Sequence, residues 1–67
     1  MKWNKVYFSE QLYQAEIVKG VLEENGIKAV IVSKQDNAYH LGVHEVQVSS
    51  EEVIKALKIV NDDISFT

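Results

Sequence analysis

Leu22-Glu23-Glu24-Asn25-Gly26-Ile27-Lys28-Ala29-Val30-Ile31-Val32-Ser33 passes from helix chemistry to strand chemistry within one short stretch. Upstream, from Glu10 to about Asn25, the apolar residues Tyr13, Ala15, Ile17, Val18, Val21 and Leu22 fall on one arc at about 100° per residue. Glu16, Lys19 and Glu23 take the opposite face, which predicts an amphipathic helix. Gly26 after Asn25 is its stop, because a residue without Cβ enters the left-handed region at no steric cost. Downstream, Ile27 to Ser33 is β-branched and nearly continuous in its apolar content, as a strand with neighbours on both sides would be. By composition it is the central strand.

Working outward, Trp3 to Phe8 alternates Trp3, Lys5 and Tyr7 against Asn4, Val6 and Phe8 and reads as a first strand. Ser9 is the expected cap of the helix beginning at Glu10. After a polar connection from Lys34 to Gly42, Val43 to Val48 alternates strictly and should pair with Ile27–Ser33 as an antiparallel hairpin. Ser49-Ser50-Glu51-Glu52 has the spacing of a capping box. It predicts a second helix from about Ser50 to Asn61 that buries Val53, Ala56, Leu57 and Val60, with Asp62-Asp63 ending the pattern. Ile64-Ser65-Phe66 has room only for a short edge strand.

Strand, helix, strand, strand, helix, short strand is the order of the ferredoxin-like split βαβ: an α+β fold with a four-stranded antiparallel sheet and two helices on one face. Residues 1–67 are read as a single domain of this kind. With 46% hydrophobic and 25% charged residues the chain has the balance of a globular protein, not of a disordered segment.

A net charge of −3, seven scattered lysines and no arginine exclude the clustered positive charge that nucleic-acid binding needs. No window is long and apolar enough to span a membrane, and no signal-peptide stretch is present, so the expected location is cytoplasmic. Without cysteine there is no disulfide framework, and no standard structural zinc site or cofactor motif can be assembled. Gly20, Gly26 and Gly42 form no phosphate-cradling run. The adjacent carboxylates at Glu23-Glu24, Glu51-Glu52 and Asp62-Asp63 do not share a pocket on a helix. The chain therefore reads as non-enzymatic.

Two surfaces remain. Trp3 and Tyr7, if Val6 and Phe8 face the helices, form an aromatic pair on the open face of the sheet, suited to a protein partner or to a second copy as a possible dimer. The connection with Asp36, Asn37, Tyr39, His40 and His44 mixes donors, acceptors and an aromatic ring, and is the alternative: a sensor loop over residues 34–44 for a small ligand or metal.

Trp3, the Ala15–Leu22 helix core, Leu22-Glu23-Glu24-Asn25-Gly26-Ile27, and the Asp36 loop leading through Gly42 to Glu45-Val46-Gln47-Val48 together resemble a family of small bacterial domains described as prokaryotic signal-transducing proteins. The resemblance covers essentially the whole chain. It implies a ferredoxin-like fold related in outline to nitrogen-regulatory PII proteins, and a role in signalling. The long nucleotide-binding loop of PII proteins has no counterpart here, so the resemblance does not extend to binding of ATP or 2-oxoglutarate.

Overall fold

The computed structural model describes residues 2–36 and 41–64. Three strands, β1 (Trp3–Ser9), β2 (Ala29–Asp36) and β3 (Leu41–Ser49), form one antiparallel sheet in the order β1-β3-β2. Two helices, α1 (Leu12–Glu24) and α2 (Val53–Asp63), pack on it, with a single 3-10 turn at Ser50–Glu52 leading into α2. Because β3 lies between β1 and β2, the connection through α1 crosses over it, which is the split βαβ arrangement.

The core is the layer between sheet and helices. Ala15, Val18 and Leu22 of α1 stand one turn apart and are wholly buried, as the periodicity requires. They share a cluster with Val6, Ile27, Ala29, Val46, Val48, Ala56 and Ile59. The extents of the molecule, 34 × 31 × 14 Å, are those of two layers and no third. Among the described residues, the other face of the sheet is left without helical cover.

Several expectations are corrected. The Val-rich strand is not central: β3 holds that position, and β2 is an edge among the described residues. Helix α1 begins at Leu12 because Ser9 organises the turn before it and does not cap it. The Ser9 Oγ accepts from the Gln11 N–H at 3.0 Å and donates to Gln14 Oε1 at 2.6 Å. The capping box does not form. Ser49 is spent as the last residue of β3, opposite Trp3, and makes no side-chain cap. Ser50 instead sends both its N–H (2.8 Å) and its Oγ (3.3 Å) to the Lys2 carbonyl, tying the start of α2 to the start of β1.

Helix α2 buries Ile59 in place of Leu57, which is 45% exposed, and continues through Asp62 to Asp63. The polar connection is shorter than expected, since the hairpin ladder runs out to Asp36↔Leu41. The expected last strand falls mostly outside the described residues. Its first residue, Ile64, leaves α2 in extended backbone and packs against the core.

Gly26 closes α1 as read, at φ 80°, with the Ile27 N–H reaching back to the Leu22 carbonyl at 3.0 Å. A Cβ at Gly26 or Gly20 would touch nothing within 4 Å, so only backbone preference decides what a methyl group does there. Gly26→Ala should cost about 1–2 kcal/mol through its left-handed φ. Gly20→Ala, inside α1, should add up to about 1 kcal/mol. Urea midpoints of the two variants moving in opposite directions check this.

Candidate functional site

In β3 the even-numbered residues Val46 and Val48 are buried under the helices, so Val43, Glu45 and Gln47 belong to the uncovered face. Opposed residues of a ladder share a face, so β2 contributes Val30, Val32 and Lys34, opposite Gln47, Glu45 and Val43. On β1 the register slips by one residue between Lys5 and Tyr7, leaving Val6 as the extra residue of a β-bulge. Before the bulge, Trp3 and Lys5 lie on the uncovered face with Ser49 and Gln47; after it, Phe8 does, opposite Glu45.

The bulge corrects the expected aromatic pair. Val6 and Tyr7 both turn to the helical side, where Val6 is 8% exposed and Tyr7 packs against the core. The Tyr7 hydroxyl donates to Gln14 Oε1 at 3.4 Å, the same oxygen that receives the Ser9 hydroxyl. Trp3 keeps its expected place at 39% exposure, and Phe8, at 59%, stands where Tyr7 was expected. Strict alternation would have required an unbroken ladder; one extra residue inverts every side chain after it.

Between the two aromatic residues lies a compact charge cluster. The Glu45 side chain is only 12% exposed although it is on the open face, because neighbours from all three strands surround it. It lies 3.5 Å from Lys34 Nζ on β2 and 3.9 Å from Lys5 Nζ on β1, and accepts from Gln47 Nε2 at 3.1 Å. Lys5 also sits over the Phe8 ring, 4.9 Å from its centroid. Both lysines are largely solvated, so each pair contributes at most about 1 kcal/mol. Their effect is on position: lysines from both flanking strands hold Glu45 in place on the open face. A shallow groove of about 370 Å³ runs beside Lys5, Val6, Tyr7 and Phe8. Four consecutive strand residues can line one groove only along the strand's edge.

A family model matches residues 3–62, with the description "Putative prokaryotic signal transducing protein". The chain belongs to that family. Comparison with curated proteins and with solved structures finds no significant match. The expected family resemblance thus stands across nearly the full length of this signal-transducing-family chain.

Of the residues of the alternative loop site, the structure describes His44 and the backbone of Asp36. His44 stands on the helical side, half-buried, with its Nδ1 2.8 Å from the Ser33 Oγ and Ser9 opposite it on β1. Asp36 closes the β2 ladder opposite Leu41, and Asn37, Tyr39 and His40 lie outside the described residues. No group of three or more His, Asp or Glu residues suited to a metal ion occurs among the described residues. Phe8, Lys5, Lys34, Glu45 and Gln47 were absent from the sequence reading as site residues, and only the Lys and Glu alternation on neighbouring strands signalled them.

The facing of β1 has a direct consequence for stability. Phe8→Ser should change the unfolding free energy by no more than about 0.5 kcal/mol, as for a surface site, despite the loss of a large apolar ring. Val6→Ala should cost about 1–2 kcal/mol through the loss of two buried methyl groups. Denaturant titration of the two variants ranks them; the unbulged reading, with Phe8 in the core, gives the reverse order.

Proposed function

We propose that this chain is a non-enzymatic regulatory module that binds a partner protein through the open sheet face, with Trp3 and Phe8 as anchors around the Lys5–Glu45–Lys34 cluster. The observation that carries the reading is that two large aromatic side chains stand exposed on a face whose Glu45 is already paired with lysines from both flanking strands. Aromatic residues bury much area at low entropic cost and are the usual anchors of interfaces. Lys5 and Lys34, both exposed beside Glu45, favour a partner that sets acidic groups against them, which would raise the association rate. Membership in a signal-transducing family supports a role in relaying contacts rather than in converting a substrate. The reading also places the module in the cytoplasm and away from nucleic acid, in keeping with its acidic charge balance.

The four-stranded, ferredoxin-like form of the sheet belongs to the same proposal, with residues 64–66 as a short strand beside β1. Packing of α2 on β1 and the extended backbone of Ile64 support it.

Affinity purification of the chain from its own cells, with cross-linking read by mass spectrometry, tests the binding face. The expected result is a partner cross-linked through Lys5 and Lys34, with recovery falling roughly tenfold or more in a Trp3→Ala, Phe8→Ala variant that keeps its circular dichroism spectrum. Ile54→Ala, at an exposed position of the helical layer, is the control and should leave recovery unchanged. Full recovery with the double aromatic variant overturns the proposal. Retention of a small molecule or metal lost on substitution at His44 would favour the sensor loop instead.

A further inference from the structure

The residues that end α1 carry a chemistry that the open sheet face does not use. Of Asn4, Asn25, Asn37 and Asn61, Asn25 is the one followed by glycine. Asparagine in that position is thermolabile: the next backbone nitrogen can attack the side-chain amide carbon, and glycine has no Cβ to hinder the approach. Both Asn25 and Gly26 are exposed to water.

The fold nevertheless keeps the reacting atoms apart. Closing the ring requires the Asn25 Cα–C bond to turn until the Gly26 nitrogen eclipses Cβ. At the observed ψ of 12° that nitrogen is instead nearly eclipsed with the backbone nitrogen of Asn25 itself. The Gly26 N–H donates to the Glu23 carbonyl and the Ile27 N–H to the Leu22 carbonyl, each at 3.0 Å. These are the two crossing bonds of a Schellman ending, and turning the Asn25 bond breaks both. The leaving nitrogen is held as well, since Asn25 Nδ2 donates to the Val21 carbonyl at 2.8 Å. Attack also requires the Gly26 N–H to give up its proton, and the resulting anion would form at the negative end of α1, in the turn that carries Glu23 and Glu24. The anchor of the ending is the core: Leu22 and Ile27 are 0% and 1% exposed.

We propose that Asn25 is a self-modification site, closed in the folded chain and opened when the end of α1 comes loose from the core. In the open chain the Gly26 nitrogen bonds to Asn25 Cγ, the Cγ–Nδ2 bond breaks, and the side-chain nitrogen leaves as ammonia with the proton that Gly26 gave up. Water then opens the cyclic imide at one of its two carbonyls. The product is aspartate, or isoaspartate with the backbone routed through the former side chain. Either adds a carboxylate at the negative end of α1, and isoaspartate also lengthens the backbone inside the Schellman loop, so that its two bonds no longer close together. The step is one-way: it marks a chain that has opened and weakens the ending that would have closed it again. It is independent of binding at the open face.

Incubation of the full chain at mildly alkaline pH, with and without guanidinium chloride, tests the site. Peptide mapping by mass spectrometry reads the mass gain of acid over amide at Asn25 and separates aspartate from isoaspartate. The expected result is conversion at Asn25 ahead of the other asparagines in denaturant, slowed roughly tenfold or more in the folded chain, where openings that reach the core are rare. Ile27→Ala loosens the anchor without altering the reacting atoms, and should speed conversion of the folded chain while leaving the rate in denaturant unchanged. If that variant does not fold, the native chain in denaturant below its midpoint serves instead, and conversion should climb together with hydrogen exchange at Gly26 and Ile27. A folded chain that converts as fast as the denatured one overturns the proposal. So does an Asn25 that stays intact in denaturant, or a rate indifferent to the loosening of the α1 ending.

Discussion

The pleat of β3 is the constraint on which the rest depends. Val46 and Val48, fully enclosed with Ala15, Val18 and Leu22 of α1, point one way, and every residue between them must point the other. Both flanking strands take their facing from this central strand, residue opposite residue. The open face is thus a by-product of how the core is filled: Glu45 and Gln47 are held outward because Val46 and Val48 are drawn inward.

Two layers with ten buried core residues among those described leave a small reserve of stability, as small domains without disulfides generally do. Local contacts outside the core make up part of it. The tie from Ser50 to the Lys2 carbonyl anchors the entry to α2, and the Ser9–Gln14–Tyr7 set anchors the entry to α1. Both join a strand end to a helix start, where backbone groups have no intrahelical partner. In neither case does a cap at the first helical residue do this work.

How much was legible depends on how local the governing interaction is. The helix at 12–24, its glycine stop, and the hairpin to β3 follow from periodicity and from the left-handed freedom of Gly26, all of which act within a few residues. The capping box failed because a partner far along the chain, Lys2, competed for Ser50, and because pairing with Trp3 had already committed Ser49 to a strand. The facing of the expected aromatic pair changed for a similar reason. Trp3 precedes the bulge and kept its face; Tyr7 follows it and lost its place to Phe8.

The sequence by itself determined the order of elements, the buried stripe of α1, the alternation of β3 and membership in a signal-transducing family. These rest on side-chain periodicity and on backbone preferences that a residue carries wherever it sits. Only the tertiary structure decided that β3 and not the valine-rich strand is central, that Val6 is an extra residue in the ladder, and that Glu45 lies between two lysines from different strands. Strand neighbours and register are set by contacts between residues distant in the chain, and no local pattern encodes which partner a strand will meet.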